Sequence, residues 1–395
     1  MTNVGYYKME SHKSNHLTEL EKSLPAYYYF SDNHYSKEVT AIWKNNWIYV
    51  CHESRITANL SFLTVEISDQ NIIIFRSSKG ELKAYYNTCR HRGSILCDQK
   101  SGSMSSKLLS CPYHQWSYSI DTGQLINIAS FSNTPSGFNK NDLGLFEVSI
   151  QVWRGLIFVN LNESATWDLD NLFQRKPSAF ENFPLEDMVC GHVWEKTIEC
   201  NWKSFWENFN ECLHCPNIHP ELTDLVPMFS NRIINPMDLS SWEPKTEKSN
   251  PKFSGGLKSG AETWSTDGSA QGNKIKNLTR EDLLKGHVYA SSWPSMFIGG
   301  YADHVRAVRV LPIHSEKTMI TAEWFFEKSA LKDDKYDMQN VIDFACLVME
   351  QDANACELNQ KGLKSMPYQN GFLMPEEYVI KTFHDWIRKE LSQSP

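Results

Sequence analysis

The sequence predicts an α+β fold with two domains, a small all-β domain followed by a larger domain of mixed strands and helices. Short alternating segments such as LTVEIS and LKAYYNTC, separated by turn residues, fill 46–160. Longer strand and helix patterns mix in 161–395. A length of 395 residues suits two domains, each large enough to bury a core.

The predicted elements follow in a simple order. Residues 1–45 have a polar helical pattern and are expected to pack on the second domain. In that domain we expect a strand from His192, a helix over 205–215, a hairpin, and a long helix over 335–363. The stretch 228–285 is polar and rich in Ser, Gly, Lys and Asn, which predicts a lid, a binding loop or a disordered insert.

Composition excludes several functional classes. With 39 basic and 47 acidic residues, a net charge of −8 gives no electrostatic support for nucleic-acid binding. No apolar run is long enough to span a membrane, and the N-terminus lacks a signal-peptide pattern. The ten cysteines show no disulfide-framework spacing, so we expect a protein of the reducing cytoplasm.

Two Cys-His pairs lie inside the all-β region. Cys89-Arg-His91 and Cys111-Pro-Tyr-His114 are separated by nineteen residues. Two thiolates on one iron and two imidazoles on the other are the ligands of a Rieske [2Fe–2S] cluster, a one-electron carrier. The alternative is a structural zinc site with two cysteines and two histidines. Its usual spacing is wider than Cys-x-His, and each pair here mixes the two residue types, so the pattern favours the Rieske cluster.

A second candidate metal site lies in NWKSFWENFNECLHCPNIH, residues 201–219. His214 and His219 with one carboxylate would form the facial triad of a non-haem Fe(II) oxygenase, which leaves positions open for O2 and substrate. Glu211 and His214 are expected on one face of a helix. Pro216 is expected to end or disturb that helix, so that His219 reaches the metal from the turn beyond. The alternative is a helix whose histidines have structural partners.

The pattern of the long C-terminal helix predicts the third ligand. Asp352 lies in the middle of its apolar stripe, whereas Glu350 and Glu357 point roughly the opposite way. A carboxylate on a buried face needs a partner, because an unpaired buried charge is very costly. An ion pair with Arg or Lys would also satisfy Asp352, but the two upstream histidines favour iron.

These motifs resemble the α subunits of Rieske non-haem iron oxygenases. The resemblance depends on CRH…CPYHQW, NWK…EN..E..H….H and EQDANACELNQKGL, and it spans the chain in the family's order. It implies an all-β Rieske domain followed by a catalytic domain, in which helices cap an antiparallel sheet that carries a mononuclear iron. By resemblance, the cluster ligands are Cys89, His91, Cys111 and His114, and the ligands of the Fe(II) are His214, His219 and Asp352. Glu211 falls at the carboxylate that bridges a cluster histidine of one subunit to an iron-ligand histidine of its neighbour, and Asn208 falls at a position close to the iron.

The resemblance also implies partners. Enzymes of this family use O2, receive electrons from NAD(P)H through a separate flavin or iron–sulfur reductase, and usually form ring-shaped homotrimers. Gln115 departs from the family, which usually has glycine there. This change is expected to alter the reductase-facing surface or the hydrogen bonding of the cluster. The nineteen-residue gap is also at the long end.

The sequence identifies the substrate less specifically than it identifies the metal sites. Glu211, where ring dioxygenases commonly have Asp, and the segments 260–268 and 295–312 look more like the glycine betaine, choline and carnitine oxygenases. A trimethylammonium group would need an aromatic cage, and an anionic tail would need a cation such as Arg306 or Arg309. Two alternatives stay open: an aromatic-ring-hydroxylating dioxygenase α subunit, which typically recruits a β subunit, and an electron carrier whose second domain is only a scaffold. The candidate cage residues are Phe205, Trp206, Phe209, Trp264, Tyr289, Trp293, Phe297 and Tyr301.

Overall fold

A computed structural model of the chain describes residues 16–128, 133–174, 177–231 and 256–393. The predicted helical character of residues 1–15, and the part of the predicted polar loop in 232–255, lie outside these ranges. Within them, no helix combines the length and the apolar character needed to cross a membrane.

The N-terminal segment is only partly helical. It contains a two-residue strand β1 (Glu21–Lys22), the helix α1 (Asp32–Glu38) and a π-helical turn over Val39–Trp43. α1 begins at Ser31, whose side chain accepts a hydrogen bond from the backbone N–H of His34. Because β1 pairs with a strand near the C-terminus, this segment contacts the last part of the chain.

Three small antiparallel sheets follow. One has the strand order β5-β4-β3-β6, the second β7-β8-β9 and the third β10-β11-β2. In β4, alternate side chains enter different cores: Ile72 and Ile74 join one cluster, and Ile73 and Phe75 another. The strands are β2 (Ile48–His52), β3 (Ser61–Ile67), β4 (Gln70–Arg76), β5 (Leu82–Tyr86), β6 (Ser101–Ser103), β7 (Leu108–Ser110), β8 (Trp116–Ser119), β9 (Leu125–Ile128), β10 (Ser149–Trp153) and β11 (Leu156–Asn160).

A five-stranded antiparallel sheet forms the centre of the second half, with the order β12-β16-β15-β14-β13. The predicted hairpin is β15–β16, and the segment before it contributes the separate strand β14. The α+β class predicted from the sequence is confirmed. The strands are β12 (Val189–Ile198), β13 (Val288–Ser292), β14 (Met296–Gly300), β15 (Val305–His314), β16 (Lys317–Phe326) and β17 (Phe372–Leu373), the partner of β1.

Helices pack beside this sheet. The longest, α8, begins at Gln339 rather than at the predicted residue 335, and it carries the apolar stripe that was expected. Val341, Ala345 and Met349 on this stripe join the same core as strand residues of the five-stranded sheet. The helices are α2 (Leu169–Leu172), α3 (Trp202–Phe209), α4 (Cys215–Ile218), α5 (Pro220–Leu225), α6 (Pro227–Ser230), α7 (Arg280–Lys285), α8 (Gln339–Leu363) and α9 (Tyr378–Gln393).

A fully buried ion pair joins the N-terminal segment to α3. Lys203 Nζ lies 2.5 Å from Glu38 Oε1, and neither side chain is exposed. Glu38 also accepts a hydrogen bond from Trp202 Nε1 at 2.9 Å. Burial alone would raise the pKa of Glu38, but Lys203 lowers it below its ordinary value. The NWK motif therefore binds a buried carboxylate of α1.

Replacing Lys203 with methionine is expected to lower the free energy of unfolding by about 3–5 kcal/mol, because Glu38 would remain as a buried charge without this counter-ion. The matched control is Lys196→Met, which removes a partly exposed ion pair with Glu350 and should cost about 0–1 kcal/mol. Chemical denaturation followed by tryptophan fluorescence measures both. Equal losses would contradict the importance of the buried pair.

Candidate active site and metal centres

The two Cys-His pairs lie in two loops that face each other. Cys89 follows β5, and Cys111 lies between β7 and β8. Each cysteine closes its own loop: Cys89 N–H donates to Ser94 O at 2.8 Å, and Cys111 N–H donates to Trp116 O at 2.8 Å. Both thiols are buried.

The two cysteine side chains of these pairs are neighbours, and so are the two histidine rings. Cys89 and Cys111 lie within hydrogen-bonding reach of each other, and the rings of His91 and His114 are 4.7 Å apart between centroids. Burial raises the pKa of the Cys89 thiol. Two neighbouring thiols beside two neighbouring imidazoles fit the donor set of a Rieske cluster, which binds the thiolate form.

Two aromatic side chains border this group. The Trp116 ring stacks on His91 with 4.9 Å between ring centroids. The Tyr118 hydroxyl lies 3.2 Å from Cys89 Sγ and accepts a hydrogen bond from the Arg90 N–H at 3.0 Å. Hydrogen bonds to ligand sulfurs tune the potential of iron–sulfur clusters. Tyr118 is therefore placed to influence the cluster.

Gln115 has a left-handed backbone with φ of 57°. Glycine adopts this conformation at little cost, which explains why the resembled family usually has glycine there. The Gln115 N–H donates to Cys111 O at 3.0 Å, and its side chain is exposed. The substitution therefore changes the surface and leaves the loop hydrogen bond in place.

The segment that carries Glu211 and His214 is not helical, so that prediction is wrong. α3 ends at Phe209, and the Glu211 carboxylate accepts hydrogen bonds from the backbone N–H groups of Leu213 and His214. Such side-chain bonds compete with helix formation. Pro216 lies in the first turn of the next short helix, α4, where proline is favoured.

His214, His219 and Asp352 converge. Their candidate ligand atoms all lie within 4.8 Å of one another. Oδ1 of Asp352 is 2.9 Å from His219 Nε2 and 3.5 Å from His214 Nε2. In the described part of the chain, the ion pairs of Asp352 are with these two histidines, and none is with Lys or Arg. Two imidazoles and one carboxylate in this arrangement fit a facial-triad iron.

Hydrogen bonds on the other ring nitrogens orient both imidazoles. Nδ1 of His214 lies 2.5 Å from Glu211 Oε1, and Nδ1 of His219 lies 2.8 Å from Gln351 Oε1. A hydrogen on each Nδ1 leaves Nε2 available to a metal, and such outer partners fix the ring orientation. Gln351 was not identified from the sequence, although it directly precedes Asp352.

The polar contacts of the triad also shift its pKa values. Burial would lower the pKa of His214, but the hydrogen bonds with Asp352 and Glu211 raise it to about 9. Burial would raise the pKa of Asp352, whereas its hydrogen bonds with His214 and His219 lower it. The carboxylate is thus kept in the ionised form that binds metal.

A cavity of about 110 Å³ opens above the triad. A cavity of about 150 Å³ takes one benzene molecule, so this one suits a small ligand. The rings of Phe209 and Phe297 stack in its wall with 3.9 Å between centroids. The aromatic residues lining it are Phe205, Phe209, Phe229, Trp264, Tyr289 and Phe297.

Several predicted cage residues lie elsewhere. Trp206 donates its indole N–H to Pro294 O at 2.6 Å, and Trp293 packs against Trp386, so neither lines the cavity. Tyr301 lies just behind the wall, next to Trp264. Phe229 also lines the cavity, although it was not identified from the sequence.

Only one of the two candidate arginines lines the cavity. Arg309 donates to Val50 O and to Thr321 Oγ1, on the other side of the sheet. Arg306 lines the cavity and donates to the Tyr301 hydroxyl at 3.3 Å. It is buried, and its Nε has no hydrogen-bond partner within the described residues. A buried guanidinium with an unpaired N–H group favours an anionic ligand.

A second cavity, of about 370 Å³, lies on the other side of Glu211. Asn208, Glu211 and His214 line both cavities. Glu207 borders the second cavity and accepts hydrogen bonds from the Tyr29 hydroxyl at 2.5 Å and His384 Nε2 at 2.8 Å. Glu211 thus lies between the triad and a polar cavity.

Cys212 and Cys215 are joined by a disulfide. The expectation of cysteines without disulfide spacing is wrong for this pair. The two residues are only three apart in the sequence, and their Cα atoms are 5.0 Å apart.

Comparisons with known proteins give the family. A Rieske [2Fe-2S] domain model matches residues 46–138, and a model of the ring hydroxylating alpha subunit (catalytic domain) matches residues 165–393. The chain belongs to the ring hydroxylating alpha subunit family. This Rieske oxygenase alpha subunit is therefore an oxidoreductase, and the predicted cofactors, a Rieske cluster and a mononuclear iron, are confirmed.

Its curated relatives share about a quarter of their residues with it. The chain is 27% identical to the glycine betaine monooxygenase oxygenase subunit of Pseudomonas aeruginosa, over 93% of this chain and 89% of that protein. It is 26% identical to the chloroplastic choline monooxygenase of Beta vulgaris, over 93% of this chain and 76% of that protein. It is 25% identical to the carnitine monooxygenase oxygenase subunit of Acinetobacter baumannii, over 88% of this chain and 86% of that protein.

Solved structures share the fold. A quaternary ammonium Rieske monooxygenase, studied for carnitine oxidation and inter-subunit electron transfer, superposes with a TM-score of 0.74 at 20% identity, over 94% of this chain and 96% of that one. Naphthalene 1,2-dioxygenase from Rhodococcus sp. superposes with a TM-score of 0.71 at 18% identity, over 94% of this chain and 95% of that one. The predicted architecture of a Rieske domain and a helix-capped catalytic domain is confirmed.

Proposed function

We propose that this Rieske oxygenase acts on a small quaternary ammonium compound such as glycine betaine, choline or carnitine, by oxidative N-demethylation or by another hydroxylation. The observation that carries the proposal is the pocket, where aromatic walls, the Glu211 carboxylate and one buried arginine surround the triad. The similarity to relatives that act on such compounds extends over most of the chain. Residues 46–160 would form the Rieske domain, residues 161–395 the catalytic domain, and residues 1–45 a segment that packs on it.

Each metal has a proposed ligand set. The cluster ligands are Cys89, His91, Cys111 and His114, and the iron ligands are His214, His219 and Asp352. Glu211 would bridge the iron site to the cluster of a neighbouring subunit in a homotrimer, with Asn208 beside it. Electrons would come from NAD(P)H through a separate flavin or iron–sulfur reductase, in the cytoplasm.

The pocket suits a cation. Aromatic faces attract a trimethylammonium group by cation–π interaction, which replaces part of its lost hydration. The Glu211 carboxylate adds attraction for positive charge. Behind the wall, burial lowers the pKa of His287 to about 4, so this ring is neutral and does not repel the substrate.

The chemistry follows from this placement. When bound, the iron supplies activation of O2. The aromatic wall holds one N-methyl group towards the triad and excludes bulk water. One O2, two electrons and two protons convert the N–CH3 group to N–CH2OH and release one water. The N–CH2OH product then breaks its C–N bond, giving formaldehyde, a proton and the demethylated amine.

The test is turnover with a reconstituted reductase. We expect O2 consumption coupled to formaldehyde release with glycine betaine, choline or carnitine, and none with benzoate-type acids. Coupled turnover of an aromatic acid without formaldehyde would instead support a ring dioxygenase. Absence of turnover with every methylammonium compound would overturn the proposal.

Replacing Arg306 with glutamine is expected to raise KM for glycine betaine and carnitine by about tenfold to a hundredfold, because a buried charge-assisted hydrogen bond to the carboxylate is lost. KM for choline, which has no carboxylate, should change little. Steady-state kinetics with the three substrates measures this difference, and Arg306→Lys, which keeps the charge, should lose less. An equal rise for choline would show that Arg306 does not bind the carboxylate.

A further inference from the structure

A cysteine pair lies beside the iron site. The Cys212–Cys215 disulfide spans a Cα–Cα distance of 5.0 Å, inside the ordinary range for disulfides. The pair brackets His214, and Cys215 Sγ lies 3.9 Å from His214 Nε2, the nitrogen that faces Asp352. His214 therefore belongs to the short loop that the disulfide closes.

Both cysteines line the substrate pocket, although their side chains are otherwise buried, at 6% and 3% exposure. They belong to an apolar cluster that includes Leu222 and Val348. A small molecule that enters the pocket, or forms in it, therefore reaches these sulfurs.

We propose that Cys212 and Cys215 form a reversible thiol–disulfide site that consumes hydrogen peroxide in the pocket. The inference rests on the proposed use of O2 at this site. When O2 takes two electrons and two protons without hydroxylating substrate, hydrogen peroxide forms. The two thiols reduce one peroxide to two waters, as their S–H bonds break and one S–S bond forms. Two external thiols then regenerate the pair by exchange and become a disulfide themselves.

The geometry explains why this oxidation is harmless. In the disulfide form the triad ligand atoms lie within 4.8 Å of one another, and Glu211 binds His214 Nδ1 at 2.5 Å. A single thiol at either position has no resolving partner, so peroxide would carry it to sulfinic or sulfonic acid. That product would place a bulky anion beside the iron ligand.

The test exposes reduced, metal-loaded protein to hydrogen peroxide without substrate or reductase. Differential alkylation and peptide mass spectrometry should show that both thiols of the 212–215 peptide are lost together and restored by dithiothreitol. Mononuclear iron should stay bound throughout. Cys212→Ser and Cys215→Ser should instead accumulate sulfinic or sulfonic acid at the remaining cysteine and release iron about tenfold faster.

Cys346→Ser is the matched control, since this half-buried cysteine of α8 does not line the pocket, and it should behave like the wild-type chain. The inference is overturned if the wild-type pair stays alkylatable while other cysteines oxidise, or if the single variants match wild type. Because these readouts need no turnover, they are independent of the proposed substrate. A wild-type chain that binds no mononuclear iron, yet forms the disulfide, would contradict the proposed function instead.

Discussion

Replacing Asp352 with alanine is expected to remove the mononuclear iron and abolish substrate hydroxylation, while the Rieske cluster stays. Asp352 is the carboxylate that both histidines face, at 2.9 Å and 3.5 Å. The iron content found by metal analysis should fall from about three irons per chain to about two, on the cluster-plus-triad ligand count. Electron paramagnetic resonance of the reduced cluster should be unchanged.

The matched control is Glu350→Ala on the same helix. Glu350 forms an ion pair with Lys196, away from the triad, so this variant should keep about three irons on the same ligand count. If Asp352→Ala kept the full iron content and full activity, the triad assignment would fail. The chain would then act as an electron carrier whose second domain is a scaffold.

Asp352 could be predicted from the sequence because the apolar stripe of its helix is periodic. A carboxylate in the apolar stripe of a long helix must find a partner, and the only open question was which one. The Cys-His pairs were equally readable, since each pair is local and its ligand chemistry is specific. Both predictions therefore depend on spacing within short stretches of the chain, which the sequence records directly.

The turn around Glu211 could not be predicted from the spacing of residues along the chain. The helical pattern continues through residues 205–215, but the Glu211 side chain binds two backbone N–H groups and the helix ends at Phe209. This competition between a side chain and the helix depends on tertiary contacts. The Cys212–Cys215 disulfide was also missed, although the two cysteines are only three residues apart in the sequence.

The two arginines show another limit. Arg306 and Arg309 are three residues apart on β15, so a strand must place them on opposite faces. The sequence alone does not say which face meets the pocket, since both are buried among apolar residues. Which arginine lines the pocket follows from the packing of the helices and loops on each side of the sheet.

Replacing Glu211 with glutamine is expected to slow electron transfer from the cluster to the iron by about a hundredfold, with both metals still bound. Glu211 holds Nδ1 of His214 and also lines the polar cavity on the opposite side from the triad. A neutral amide keeps the shape but weakens the charge-assisted hydrogen bond. Stopped-flow oxidation of the reduced cluster, with O2 and substrate present, measures the rate.

Glu207→Gln supplies the control, because Glu207 borders the same cavity but binds Tyr29 and His384 rather than a triad histidine. It should transfer electrons close to the wild-type rate. Glu211→Asp, which restores the carboxylate on a shorter side chain, should recover part of the loss. A wild-type rate in Glu211→Gln, with iron fully bound, would mean that electrons reach the iron by a route that does not use this carboxylate.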